Sequence, residues 1–137
     1  MAHPAPIPLF SAAAVNAGID LGTAIQQVLD SHWYVLGQQV QGFESEFARY
    51  IGTEHCVSVA NGTDALELAL RAVGVAPGDK VVAVANAGFY GSTAIHAIGA
   101  VPLYADVDEA TLTLSPVALE QALASQPAAV IVTHLYG

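Results

Sequence analysis

Short apolar runs alternate with helical segments from about residue 56 onward, and this alternation restricts the fold more than any other feature. We predict strands at about 56–60, 81–85, 101–105 and 128–133, with helices between them at about 64–74, 91–98 and 116–124. Glycine and proline residues mark the joins. A βαβαβαβ order implies parallel strands joined by right-handed crossovers. The sequence therefore predicts an α/β fold, a parallel-sheet αβα sandwich.

The first 55 residues follow a different pattern. An extended start at 7–10 precedes a helix at about 18–31, and apolar spacing from Phe43 to Ile51 predicts a second helix that stops at Gly52. We therefore divide one incomplete domain, 1–137, into an N-terminal segment with helices, 1–55, and the βαβαβαβ core, 56–137. The sequence stops directly after the fourth predicted strand, which would leave the sheet uncovered. We expect it to be part of a longer protein.

Charge and hydropathy argue against nucleic-acid and membrane partners. The chain has twelve acidic and three basic residues, which give a net charge of −9, whereas nucleic-acid binding depends on clustered Lys and Arg. Residues 81–105 carry no Asp, Glu, Lys or Arg, but polar residues, glycines and a proline interrupt them, as expected of a sheet buried on both faces. We interpret them as a soluble core.

The compartment is inferred from the cysteine count and the N-terminus. Cys56 is the single cysteine, so no internal disulfide can form, and its place in an apolar run predicts a buried, inert thiol. The proline-rich start lacks the cationic and apolar regions of a secretory signal. We expect a cytoplasmic protein.

The motif at 61–63, Asn-Gly-Thr, joins the first predicted strand to a helix. A helix N-terminus that follows a glycine presents free N–H groups to an anion such as a phosphate. An ordinary capped helix explains the local features equally well. Neither G-x-x-x-x-G-K-[ST] nor G-x-G-x-x-G is present, which disfavours ATP and NAD.

Two other segments that follow predicted strands, 86–90 and 133–137, should open on the same edge of the sheet. Phe89 and Tyr90 stand where an aromatic face could stack on a heteroaromatic ring, although core packing is an equal alternative. Asp106 and Asp108 fit a solvated turn, and we assign them no chemistry. The histidines show no metal-ligand spacing, so we predict no metal site.

With these residues in view, the chain resembles the N-terminal part of the DegT/DnrJ/EryC1/StrS sugar aminotransferases, whose large domain has the fold-type I architecture of pyridoxal-phosphate enzymes. The resemblance covers nearly the whole chain from Ile7 and is specific as an ordered set. Its motifs lie at 33–37, 43–52, 61–70, 77–79, 99–102, 106–108 and 134–137.

The resemblance implies a pyridoxal 5'-phosphate (PLP) site. Gly62, Thr63 and Asp64 would hold the cofactor phosphate, and Phe89 or Tyr90 would cover the pyridine ring, with Tyr90 preferred. The segment 85–90 departs from the proline-led segment that is usual in the family, so the choice of aromatic stays open. Trp33, Tyr34 and Gly37 would approach the nucleotide-sugar substrate.

The resemblance also implies an aminotransferase that moves an amino group from a donor, expected to be glutamate, to a keto sugar bound to a nucleotide, in a homodimer. The Schiff-base lysine is expected beyond Gly137, so no catalytic residue is assigned, and this chain alone should be inactive. Lys80 cannot replace that lysine, because it lies in the turn before a predicted strand, at the opposite edge of the sheet from the ligand. The alternatives are a sugar dehydratase of the same family and a non-catalytic α/β binding or regulatory module.

Overall fold

The computed structural model describes residues 7–135 and divides the chain into two compact units, Met1–Ser58 and Val59–Gly137. The first unit contains three helices: α1 (Ala12–Val15), α2 (Leu21–Ser31) and α3 (Gln38–Ile51). Helix α2 begins later than predicted, because the Asp20 carboxylate accepts a hydrogen bond from Thr23 N at 3.0 Å and so caps the helix there. Helix α3 ends at Gly52, whose φ of 82° is typical of a glycine that terminates a helix.

The second unit alternates helices and strands. Its helices are α4 (Gly62–Ala72), α5 (Tyr90–Ala97) and α6 (Pro116–Leu123), and its strands are β1 (Lys80–Val84), β2 (Val101–Ala105) and β3 (Ala129–Val130). Both strand pairs are parallel, and the order β2-β1-β3 places β1 at the centre. The predicted α/β fold with a parallel sheet is confirmed.

The core of the second unit is built around β1, whose residues 81–84 are all buried. On one face, Val81 and Ala83 pack into a cluster with residues of α4, α5 and the loops that follow them. Side chains alternate along a strand, so Val82 and Val84 are buried on the opposite face. Burial on both faces explains the uninterrupted apolar run that the sequence shows here.

Two predicted strands differ in the structure. Residues 56–60 form no strand within the described part of the chain, and the Ser58 N–H donates to Glu44 Oε1 at 2.7 Å. A strand needs a neighbour that completes its ladder, and without one Val57 stays exposed and the predicted burial of Cys56 is only partial. The strand predicted at 128–133 shortens to Ala129–Val130, since only these residues pair in register with Val81 and Val82.

No helix within residues 7–135 is long and apolar enough to cross a membrane.

Candidate cofactor site

Helices α4 and α5 begin at the edge of the sheet where the strands end. The connection after α4 meets the connection after α5, because Gly78 N donates to Gly99 O at 2.8 Å. Asp79 O accepts from Val101 N at 2.8 Å, which places both helix C-termini where β1 and β2 begin. The N-termini of α4 and α5 therefore point to the carboxyl edge. Ile131, directly after β3, lies near Gly91 at the start of α5, 3.6 Å from where a Cβ on Gly91 would stand.

Asn61 caps α4 with both ends of its amide. Its Oδ1 accepts from Asp64 N at 2.9 Å, and its Nδ2 donates to Asp64 Oδ2 at 3.1 Å. The first bond satisfies one of the free amides at the helix start. The second fixes the Asp64 carboxylate against the cap, so Asn61 and Asp64 orient each other.

Gly62 and Thr63 occupy the first two positions of α4. Among the residues that the structure describes, their backbone N–H groups have no hydrogen-bond acceptor. A Cβ added at Gly62 would meet nothing within 4 Å, and the φ of Gly62 lies outside the left-handed region. The protein's own packing therefore gives no reason for glycine at this position, whereas a ligand that approaches the backbone would.

The segment after β1 carries the two aromatic residues in an unusual backbone. Gly88 and Phe89 both have φ of 67°, a left-handed conformation that a bulky residue such as phenylalanine rarely adopts. The Tyr90 ring lies over Gly88, with Tyr90 Cε2 3.1 Å from where a Cβ would stand. Phe89 is 80 % exposed and Tyr90 is 65 % exposed, so neither is a core residue. Within the described residues, packing therefore does not account for this aromatic pair.

The basic side chains of this unit lie away from these residues. Lys80 is the first residue of β1, at the amino edge, and its Nζ is 3.5 Å from Ser125 O. This is the opposite edge from the helix N-termini, as predicted. Arg71 lies in the last turn of α4 and pairs with Glu67 at 3.0 Å. An anion at the start of α4 would thus depend on backbone N–H groups and hydroxyls.

In the first unit, Trp33, Tyr34 and Gly37 line a cavity of about 510 Å³ between the second half of α2 and the start of α3. Gln39 Nε2 donates to Gln27 Oε1 at 3.2 Å and so joins the two helices beside the cavity. Gly37 is buried, and a Cβ there would stand 2.8 Å from the Trp33 carbonyl oxygen. Local packing therefore explains why this position is glycine. The remaining lining residues are Val28, Asp30, Ser31, Gln38 and Val40.

A family model described as the DegT/DnrJ/EryC1/StrS aminotransferase family matches residues 18–137. The chain belongs to this family. Its similarity to individual members extends over most of its own length. The dTDP-3-amino-3,6-dideoxy-alpha-D-galactopyranose transaminase of Aneurinibacillus thermoaerophilus is 40 % identical over 118 residues, which are 86 % of this chain and 32 % of that protein.

Two solved structures have the same fold as this chain over most of its length. Streptomyces venezuelae DesV, solved in complex with a ketimine intermediate, matches with a TM-score of 0.87 and 38 % identity over 96 % of this chain and 36 % of its own. NtdA of Bacillus subtilis, solved with bound cofactor PMP, matches with a TM-score of 0.81 and 29 % identity. The match covers 94 % of this chain and 29 % of NtdA. The DegT/DnrJ/EryC1/StrS chain described here thus spans about a third of the length of the relatives that it matches.

Most of the residues selected from the sequence lie at two places. Gly62, Thr63 and Asp64 open α4, and Phe89 and Tyr90 open α5, at the same edge of the second unit. Trp33, Tyr34 and Gly37 line the cavity of the first unit. Of the predicted segment 133–137, Tyr136 and Gly137 lie outside the described residues. Sequence reasoning missed the contacts of Asn86, Ser92 and Tyr104, which have no signature in a single sequence because each partner is 12 or 26 residues away.

Proposed function

We propose that this chain is the N-terminal part of a PLP-dependent aminotransferase that acts on nucleotide-linked keto sugars, with glutamate as the amino donor, in amino-sugar biosynthesis. One observation carries the proposal. Two N–H groups at the start of α4 have no acceptor among the described residues, and they share an edge with an exposed aromatic pair in a member of an aminotransferase family. A phosphate and a flat ring are the two groups that such an edge would bind.

The start of α4 fits the cofactor phosphate. The N–H groups of Gly62 and Thr63 would donate to phosphate oxygens, the Thr63 hydroxyl would add a third donor, and the helix dipole favours negative charge at this end. The open space at the Cα of Gly62 lets the phosphate approach the backbone closely. Asp64 would act through its bonds to Asn61, which keep the cap in place beside the phosphate.

The start of α5 fits the pyridine ring. Both aromatic side chains are exposed at the carboxyl edge, and Tyr90 is held over Gly88 while Phe89 is the more exposed of the two. We assign the stacking contact to Tyr90, because its ring position is already set by the backbone beneath it. When bound, PLP supplies the electron sink for amino transfer, and the aromatic cover keeps its ring oriented and dry.

The cavity beside Trp33 fits an uncharged part of the substrate. Its volume of about 510 Å³ is within the range of small-molecule sites, and it is lined by carboxamides, a hydroxyl and two aromatic rings. Asp30 is the charged side chain in this lining. A carboxylate disfavours the diphosphate of a nucleotide sugar. We therefore propose that the base or the sugar enters this cavity.

The remaining parts of the proposal follow from family membership. The Schiff-base lysine would lie beyond Gly137, and the assembled enzyme would be a homodimer. The single cysteine supports the cytoplasm as its compartment. Translation of the coding sequence downstream of Gly137 tests the first point. A lysine in the family's position supports the aminotransferase, and a histidine there supports the dehydratase instead.

The cofactor site is tested by replacing Gly62 with alanine. We expect Gly62→Ala to leave the unfolding free energy nearly unchanged, because the added methyl group meets nothing within 4 Å among the described residues. It should weaken pyridoxamine phosphate binding about tenfold, roughly 1.4 kcal/mol, because the methyl group would meet the phosphate. Fluorescence titration with pyridoxamine phosphate measures this without requiring the lysine.

Gly42→Ala is the matched control, because Gly42 also has nothing within 4 Å but lies inside α3 of the other unit. Equal affinity of the wild type, Gly62→Ala and Gly42→Ala for pyridoxamine phosphate would contradict the proposed phosphate site. Failure of the wild type to bind would favour the non-catalytic module.

A further inference from the structure

Residues 86–92, which we call the aromatic loop, carry Phe89 and Tyr90 from the end of β1 into α5. The C-terminal end of this loop is tied to the neighbouring strand. Ser92 Oγ and the Tyr104 hydroxyl are 2.9 Å apart, a hydrogen bond between the first turn of α5 and the penultimate residue of β2. This bond joins the loop to an element that is itself paired with β1.

The N-terminal end of the aromatic loop is tied to the segment that follows β2. Asn86 Nδ2 donates to the carbonyl oxygen of Leu112 at 3.2 Å, and Leu112 lies in the connection between β2 and α6. The two tethers are 6 residues apart in the loop, and both partners belong to β2 or to the segment that follows it. The aromatic pair lies between them.

The Leu112 carbonyl is held in place by Asp108. The Asp108 carboxylate accepts from Ala110 N and from Thr111 N, each at 3.0 Å, and the Asp108 carbonyl accepts from Leu112 N at 2.8 Å. These bonds fold the turn in which Leu112 adopts a φ of 56°. The turn therefore gives Asn86 a fixed acceptor rather than a mobile one.

The aromatic loop needs such tethers because packing does not hold its two aromatic side chains. Phe89 and Tyr90 are mostly exposed, and two consecutive left-handed residues, Gly88 and Phe89, put the backbone in a conformation that is unfavourable for the second. A strained backbone persists only where its surroundings fix it. In the part of the chain described, the side-chain bonds that cross from this loop to other elements are the two tethers.

We propose that Tyr104 and Asn86 are positioning residues, which hold the aromatic loop so that Tyr90 is preoriented against the cofactor ring. The inference rests on the proposed function, since it assumes that the ring binds at this loop. The two parts of the site then have separate roles: the start of α4 binds the phosphate, and the two tethers affect only the contact with the ring. Loss of a tether should therefore affect a ligand that has the ring and spare one that has only the phosphate.

The decisive variant is Tyr104→Phe, which removes one hydroxyl and keeps the ring. In the full-length protein we expect the Kd for pyridoxamine phosphate to rise about three- to tenfold, an effect of the size of one lost hydrogen bond. The Kd for inorganic phosphate, measured by competition, should stay within twofold of the wild type. The induced circular dichroism of saturated pyridoxamine phosphate should also change, because it reports the orientation of the ring in the site.

Tyr50→Phe is the control, since it removes a tyrosine hydroxyl from α3, in the other unit. It should leave both affinities and the induced signal unchanged. Asn86→Ala should repeat the Tyr104→Phe result through the second tether. Ser92→Ala combined with Tyr104→Phe should give no more than the larger single effect, because both changes remove the same bond.

An unchanged Kd for pyridoxamine phosphate and an unchanged induced signal in both Tyr104→Phe and Asn86→Ala would overturn the inference while leaving the proposed function intact. Equal weakening of inorganic phosphate and pyridoxamine phosphate would also overturn it, because general loosening of the unit predicts that result. A wild type that binds neither ligand would instead remove the proposed function, and the inference with it.

Discussion

Gly37 shows how one residue can be fixed by the protein's own geometry. A Cβ at this position would stand 2.8 Å from the Trp33 carbonyl oxygen, which is backbone and cannot rotate away. We expect Gly37→Ala to lower the unfolding free energy by about 1–3 kcal/mol, as overpacking does elsewhere. Chemical denaturation of the full chain measures the change.

The outcome is checked against Gly42→Ala in α3, where the added methyl group meets nothing. That variant should instead stabilise the chain by about 0.5–1 kcal/mol, because alanine is the better residue inside a helix. Two substitutions of the same chemistry should therefore act in opposite directions. A neutral or stabilising Gly37→Ala would show that the loop around Trp33 yields easily.

Asp108 makes the stability of its turn sensitive to acid. The backbone N–H of Thr111, and then that of Ala110, hold the pKa of the Asp108 carboxyl below its ordinary value. A folded-state pKa that lies below the unfolded value of about 4 gives a contribution that is complete above that value. The contribution is lost as the pH falls through the folded-state pKa. We expect the unfolding free energy to fall on acidification in this range, and to fall less steeply in Asp108→Asn.

Urea denaturation at a series of pH values below about 5 would measure both slopes. Glu109→Gln provides the control, since it removes the neighbouring carboxyl group, which accepts none of the bonds that fold the turn. Identical acid slopes for Asp108→Asn and the wild type would show that the bonds do not distinguish the folded from the unfolded state.

At the scale of elements, α4 depends on its cap. Asn61→Ala removes the acceptor for Asp64 N and the donor to its carboxylate, and should cost about 1 kcal/mol of unfolding free energy. Asn61→Ser keeps a hydroxyl acceptor and should cost only a few tenths of a kcal/mol. Thermal denaturation of the two variants compares them directly. Equal losses would indicate that the second bond, to the carboxylate, carries the effect.

The sequence predicted helices α2 to α6 and strands β1 and β2 closely because their signals are local, whereas it did not predict the short helix α1. Glycines and apolar spacing fix α3 and its end at Gly52, and the buried run at 81–84 identifies a central strand. The segment 56–60 has the same apolar character, yet it forms no strand within residues 7–135, because pairing depends on a neighbour elsewhere in the chain. Apolar character alone cannot report that dependence.

The candidate site was likewise predictable only where its signals are local. The motif at 61–63 predicts the start of a helix. The free N–H groups at that start follow from helix geometry alone. The left-handed backbone of Phe89 and the tethers of Asn86 and Tyr104 could not be predicted. They arise from the way in which β2 and the turn after it pack beside β1, which no short window of sequence contains.

At the scale of the whole molecule, the helices of the first unit carry apolar side chains that remain exposed. On α2 these are Leu21, Ile25 and Leu29, spaced four residues apart along one face. On α3 they are Phe43, Phe47 and Tyr50, whose neighbouring ring centroids are 5.4 Å and 6.3 Å apart. Exposed aromatic stripes of this kind favour association.

The net charge of −9 opposes that association, so salt should decide the balance. At low ionic strength, like-charged copies of the 137-residue chain repel one another. At about 0.5 M salt the Debye length falls to a few ångströms, and the apolar stripes should then drive self-association. Sedimentation velocity at the two salt concentrations measures the shift.

Phe47→Glu should abolish the salt-induced association, because it interrupts the aromatic stripe of α3 at its centre. Gln41→Glu adds the same charge to the same helix at an exposed position outside the stripe, so it should associate as the wild type does. If both variants lose association equally, the added charge is responsible and the stripe is not. If the wild type sediments as a monomer at both salt concentrations, the exposed rings do not drive association in water.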